Sequence, residues 1–227
     1  MKYKAAIFDM DGTIVDSGPA WRTILQTFPQ SLGMDISDND FEQLYTLNWD
    51  DTIAYFRKKY DEAPLVISFE LFIEDIRIAV ADVYRRKVVC KKGADDYVRA
   101  LHAQGVRMCV ATLTPTEYAK IALERINLAQ YFEFILTGDD VGADKSVPTL
   151  FLEACSKLGA TPSNTVVYED SLTAARTAHA AGFDVIAVFD PHQTYDFPEI
   201  LPYAVASITD YTRIDQLKAH LAEPAEA

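Results

Sequence analysis

Five short apolar runs most restrict what this chain can fold into. Residues 4–8 (KAAIF), 106–111 (VRMCVA), 133–136 (EFIL), 165–168 (TVVY) and 184–188 (DVIAV) are strand-length, and their apolar stretches are nearly continuous rather than alternating. Strands of that kind are covered on both faces, which parallel sheets achieve by running a helix back between successive strands. Helical patterns fall where that scheme needs them, over 95–104, 116–126, 149–158 and 172–181. The expected fold class is therefore α/β, a doubly wound, Rossmann-like parallel sheet. Residues 17–85 break the rhythm, with aromatic-rich helical patterns and no convincing strand. Phe69, Phe72, Ile73, Ile76 and Val80 recur there at i+3/i+4 spacing, as one apolar face of a long helix. The expected organisation is a core of 1–16 with 86–227 and a helical insertion of 17–85, the chain returning near Lys91-Lys92-Gly93. The Ala/Glu/Pro tail at 222–227 is expected to fray.

Composition narrows the function classes. Acids outnumber bases 34 to 21 for a net charge of −13, which repels polyphosphate and disfavours nucleic-acid binding. No apolar run approaches the ~18–20 residues of a membrane span, and the short apolar run after Met1-Lys2-Tyr3-Lys4 ends at Asp9, unlike a signal peptide. Cys90, Cys109 and Cys155 are too few and scattered for a disulfide framework or zinc spacing. A cytoplasmic protein is expected, of a kind compatible with a monomer.

Polar residues gather where the apolar runs stop. Asp9-Met10-Asp11-Gly12-Thr13 ends the first; two carboxylates two apart share one side of an extended strand, and Gly12 permits a sharp turn. A lone Asp-x-Asp-Gly also serves as a polar turn with an Asx cap. Three further strand ends weigh against that reading. Thr112 ends the second run, and Thr114-Pro115-Thr116-Glu117 after it has the form of a capping box. Lys145 precedes a helix, where a solvated charge is the ordinary alternative. Glu169-Asp170-Ser171 ends the fourth run, where helix capping is the alternative. At the carboxyl ends of a parallel sheet these residues would share one rim, the place where open α/β sheets bind ligands. Three or four carboxylates cannot stay ionised together without a cation, and all-oxygen ligation favours Mg²⁺. With a lysine and a threonine beside them, the parts suit phosphoryl transfer.

Asp9-Met10-Asp11-Gly12-Thr13-Ile14-Val15-Asp16-Ser17 resembles the first motif of the haloacid dehalogenase superfamily, in the branch of phosphatases and β-phosphoglucomutases with an inserted helical cap. Thr112, Lys145 and Glu169-Asp170-Ser171 fit the later motifs in order, and the 178–183 stretch (AHAAGF) also matches. The resemblance implies Asp9 as nucleophile and Asp11 as general acid and base. It implies Thr112, Leu113 and Lys145 as holders of the phosphoryl group, and Asp9, Asp11 through its carbonyl, Glu169 and Asp170 as organisers of Mg²⁺. The expected function is a Mg²⁺-dependent phosphatase of small phosphorylated metabolites, sugar or polyol phosphates, working through an aspartyl-phosphate. Dehalogenation is disfavoured, because the superfamily's dehalogenases lack an acid at the position of Asp11. Alternatives are a phosphosugar mutase and a non-catalytic phosphometabolite-binding protein. Mutases of this branch typically carry an arginine in the cap where Asn48-Trp49-Asp50 aligns. Two further departures are Gly18, for the glutamate of many sugar-phosphate phosphatases, and Lys145-Ser146-Val147-Pro148-Thr149, where relatives usually read Lys-Pro-x-Pro-Asp.

Other residues have two readings each. Trp49 and Trp21 either line a substrate pocket or pack the insertion. Tyr84-Arg85-Arg86-Lys87 with Lys91-Lys92 either draws in phosphates or forms a solvated linker face. His102, His179, His192 and His220 match no metal or triad spacing, and Cys109 and Cys155 read as core.

Overall fold

The computed structural model describes residues 2–45, 47, 49–63, 65–192 and 196–213, so the 222–227 tail, Asn48 and His220 lie outside the described residues. The chain divides into two compact units, residues 1–16 with 89–227 and Ser17–Val88.

The first unit carries six parallel strands: β1 (Ala5–Phe8), β4 (Arg107–Thr112), β5 (Ile135–Thr137), β6 (Thr165–Glu169), β7 (Asp184–Val188) and β8 (Ala206–Ile208), in the order β5-β4-β1-β6-β7-β8. The expected doubly wound core is present. The chain winds from β1 toward β4 and β5, then crosses to β6, β7 and β8, so the winding reverses at β1 and opens a crevice at its carboxyl end. Register is fixed across the centre, with Ile7 opposite both Cys109 and Val167. On one face Ala5, Ile7, Cys109, Ala111, Val167 and Val185 pack against Leu150, Phe151, Ala154, Ala174 and Ala178 of two helices, Thr149–Lys157 and Leu172–Ala180. The alternate residues face the other way, where Phe8 stacks on Tyr168 at 4.2 Å and Tyr97 packs edge-on to Tyr168 at 5.7 Å. Both faces are covered, which explains the continuous apolar runs.

Two short strands form a separate antiparallel ribbon, β2 (Val15–Asp16) with β3 (Val89–Cys90), pairing Asp16 with Val89. The second unit is inserted between them. Among its described residues it is helical, comprising Gly18–Arg22, a π-helical stretch Thr23–Thr27, Phe28–Ser31, Asp38–Tyr45, Trp49–Glu62 and Phe69–Arg86. The last begins where the Ser68 hydroxyl accepts the Leu71 N–H at 3.3 Å and ends in Arg85 and Arg86, whose charges suit a helix C-terminus. Phe69, Phe72, Ile73, Ile76 and Val80 are all buried, as their spacing predicts, and Phe72 meets Phe56 edge-on at 5.2 Å. Among the described residues no helix is long and apolar enough to cross a membrane.

Candidate active site

The site begins where β1 stops. Asp9 N–H still donates to the Tyr168 carbonyl at 3.0 Å, but the Met10 carbonyl then accepts from Thr13, Ile14 and Val15 at 3.3, 2.8 and 2.9 Å. That knot needs a residue in the left-handed region, and Gly12 supplies it with φ +79°. A Cβ on Gly12 would lie 2.1 Å from Asp170 Oδ2 and 2.6 Å from Asp190 Oδ2, so the close approach admits only glycine. Strand periodicity is therefore not what places Asp9 and Asp11: the strand ends at Phe8 and the turn sets Asp11.

Four predicted residues come together. Lys145, in the loop before the helix Thr149–Lys157, is 7% exposed and donates to Asp9 Oδ1 and to Glu169 Oε1. Glu169 is the last residue of β6, and its other oxygen accepts the Ser171 N–H at 3.2 Å. Asp170 follows, its Oδ1 accepting the Thr13 hydroxyl at 2.7 Å. Glu169 and Asp170 do not cap the next helix, whose N-cap is Ser171. Asp9, Glu169 and Asp170 are buried and can each offer one carboxylate oxygen, all within 4.8 Å of one another. Three carboxylates against one ammonium leave an excess of buried negative charge, and the donors are all hard oxygens, so the group fits a divalent cation.

The electrostatics follow from this crowding. Burial pushes the Asp9 carboxyl up to about 7; Lys145 opposes that rise, while Glu169 and Asp11 add to it. Burial drives Asp170 well above the usual carboxylate range, reinforced by Asp9 and Glu169. Burial pulls the Lys145 ammonium down, but Asp9 and Glu169 outweigh it and hold it above the ordinary lysine value. The lysine stays charged because two carboxylates face it.

The remaining predicted residues are placed as follows. Thr112 ends β4, is buried, and accepts the Thr114 N–H on its hydroxyl at 3.1 Å. Leu113 is half-buried, against Gly138. Asp11 Oδ2 accepts the Thr114 hydroxyl at 2.6 Å. The expected capping box at Thr114 does not form: the helix starts at Thr116 with Pro115 as its N-cap, and Thr114 spends its hydroxyl proton on Asp11. Trp49 opens the helix Trp49–Glu62 of the second unit and is half-buried, while Trp21 packs edge-on to Tyr84 at 6.1 Å.

Residues 6–188, which include every residue of the acidic group and Lys145, match the family of haloacid dehalogenase-like hydrolases. The chain belongs to that family. It is 28% identical to phosphoglycolate phosphatase of Salmonella typhi, over 88% of this chain and 91% of that protein. It is 29% identical to a fructose-1-phosphate phosphatase of Escherichia coli K12, over 82% of this chain and 97% of that protein. Its fold superposes on CbbY from Rhodobacter sphaeroides, solved in complex with phosphate, with a TM-score of 0.76 at 20% identity, over 93% of this chain and 96% of that one.

In this haloacid dehalogenase-like hydrolase, two residues beside the site, Tyr211 and Asp190, were not singled out from sequence, and a third, Lys91, does something other than either expected role. Tyr211 donates its buried hydroxyl to the Thr13 carbonyl at 3.0 Å, steadying the turn that holds Asp170. Lys91 is neither a solvated linker charge nor a free phosphate attractor, because its ammonium donates to the Phe189 carbonyl at 2.7 Å. Asp190 is 2% exposed and sits just past β7. The rule that singled out Asp9 and Thr112, a polar residue at the carboxyl end of an apolar run, would also have found Asp190.

Proposed function

We propose that this hydrolase is a Mg²⁺-dependent phosphatase of small phosphorylated metabolites, sugar or polyol phosphates among them, acting through an aspartyl-phosphate on Asp9. One observation carries the reading: a buried lysine ammonium bridges Asp9 and Glu169, with Asp170 completing a cation-sized group of oxygens. An enzyme that sends a carboxylate against a phosphate dianion needs that much positive charge at the point of attack. The relatives support the substrate class, being named for phosphoglycolate and fructose 1-phosphate.

Asp9, Glu169, Asp170 and the Asp11 carbonyl would hold the Mg²⁺, which supplies Lewis-acid relief of charge on the phosphoryl oxygens. Lys145, Thr112 and the Leu113 backbone would hold the phosphoryl group. An Asp9 carboxylate oxygen attacks phosphorus, and the ester oxygen leaves with a proton from Asp11. Water then attacks the aspartyl-phosphate, giving its proton back to Asp11, and inorganic phosphate departs with Asp9 restored. Thr114 steadies Asp11 in both halves by donating to one of its oxygens. The second unit, with Trp49, is proposed to choose among leaving groups.

Phosphate release from phosphoglycolate, fructose 1-phosphate, hexitol phosphates and an aryl phosphate tests this reading. Turnover with Mg²⁺ should stop in EDTA and return when Mg²⁺ is restored. Asp9→Asn should remain folded and lose turnover by orders of magnitude, each ~1.4 kcal/mol of barrier being tenfold. Near-wild-type release by folded Asp9→Asn, or full activity after metal stripping, refutes the mechanism. Stimulation by a sugar bisphosphate without net phosphate release would assign the protein to the mutases instead.

A further inference from the structure

Asp190 has one oxygen that the fold explains and one that it does not. Oδ1 accepts the His192 N–H at 3.0 Å and lies 4.0 Å from the Lys91 ammonium. Oδ2 is buried and has no hydrogen-bond partner among the described residues. A turn-stabilising role accounts for Oδ1 alone. A carboxylate oxygen stripped of water and given no donor is costly, and such an atom points to a donor that arrives with a ligand.

The direction in which Oδ2 faces identifies that ligand. The side of Gly12 where a Cβ would stand is crowded by two atoms, Asp170 Oδ2 and Asp190 Oδ2. Asp170 Oδ1 is occupied by the Thr13 hydroxyl, so the oxygen turned toward Asp190 is the other one. Two carboxylate oxygens converging on one buried point repel each other unless positive charge or a donor hydrogen lies near. Lys91 lends positive charge nearby, which tempers the rise at Asp170, but gives Oδ2 no hydrogen, since its ammonium donates to the Phe189 carbonyl and meets Asp190 at 4.0 Å from the Oδ1 side. Asp190 also stands outside the Asp9–Glu169–Asp170 group whose oxygens share a 4.8 Å neighbourhood.

We infer that Asp190 is an outer carboxylate of the cation site, accepting through Oδ2 a hydrogen bond from a water bound to the cation that Asp170 helps to hold. The inference rests on the cation reading of the Asp9–Glu169–Asp170 group and adds a fourth acid to it. A water on a divalent cation turns its hydrogens outward and is a strong donor, which suits an orphan carboxylate one layer behind a ligand. The chain supplies this acid from the end of β7 just as it supplies Asp9 from β1 and Asp170 from β6.

Calorimetric titration of the metal-free protein with Mg²⁺, paired with thermal melts, tests the inference on wild type, Asp190→Asn and Asp170→Asn. Asp190→Asn keeps an acceptor for the His192 N–H; Asp190→Ser replaces it should the amide variant fail to fold. The Mg²⁺ Kd is expected to weaken about tenfold or more in Asp190→Asn, within the range typical of outer partners of metal ligands. The metal-free Tm should stay level, since the amide oxygen of the variant keeps an acceptor for the His192 N–H, while the Tm gain on adding Mg²⁺ shrinks. A Kd within about twofold of wild type overturns the inference, as does a fall in metal-free Tm with Kd unchanged, which marks a structural role. If wild type binds Mg²⁺ and Asp170→Asn does not, only the assignment of Asp190 is at stake. Wild type that takes up no Mg²⁺ overturns the cation reading and this inference together.

Discussion

Lys145→Met removes a charge while nearly keeping a shape, and the surroundings of Lys145 set what that should cost. The ammonium is 7% exposed and faces Asp9 and Glu169, the latter wholly buried. Methionine keeps most of the side chain's volume beside the Phe151 ring, over which the ammonium now sits at 5.8 Å. What disappears is the cation between two desolvated carboxylates. Removing one partner of a buried pair costs about 3–5 kcal/mol, which for a chain of this size lowers Tm by roughly 6–20 °C. The loss should depend on pH with a definite sign. Asp9 is already pushed up to about 7 with the lysine present, so at pH 5 it takes a proton and needs no counter-charge. Urea unfolding in EDTA should therefore show the full destabilisation at pH 8 and a much smaller one at pH 5. Saturating Mg²⁺ at pH 8 should recover part of it. An equal loss at both pH values would mean that Lys145 acts by packing, and the electrostatic account of the site would fall.

Two further outcomes are expected. Metal-free wild type should lose stability as pH rises from about 4 to about 7, because folded Asp9 and Asp170 hold protons that the unfolded chain releases near pH 4; a urea midpoint that is flat or rising over that window in EDTA contradicts the burial account. Trp49→Ala should reorder kcat/KM among sugar, polyol and aryl phosphates, with the aryl ester held within roughly tenfold, about 1.4 kcal/mol; one common factor across all substrates would make Trp49 a packing residue.

Much of the fold could be read from sequence because a parallel sheet writes itself as unbroken apolar runs, and five of the six core strands do so. The sixth, Ala206–Ile208, is three residues of mixed polarity at the sheet edge and carries no such signature. The ribbon strands Val15–Asp16 and Val89–Cys90 are two residues each, too short for any period to show. The long helix Phe69–Arg86 was legible because its buried stripe repeats five times. In the site, residues announced by strand ends were found, since the sheet delivers them to one rim whatever their side chains do next. Thr114 was misread because its local pattern is that of a cap, and only tertiary structure brings Asp11 within reach of its hydroxyl. Lys91 was misread and Tyr211 invisible for the same reason: each acts across the fold, Lys91 on Phe189 and Tyr211 on Thr13.

The ribbon of Val15–Asp16 with Val89–Cys90 makes the helical unit, in topological terms, the loop of a hairpin. Asp16 and Val89 are cross-strand partners, the pairing runs on where Lys91 N–H donates to the Ile14 carbonyl at 2.8 Å, and the Lys91 ammonium ties the ribbon's end to the Phe189 carbonyl. The chain thus departs and returns at neighbouring points, and the closure cost of what lies between rises only slowly with its length. The register of the ribbon makes no demand on what lies between its strands, so descendants of such a chain can lengthen or trade the inserted helices while the chain still leaves and re-enters at the same pair of residues.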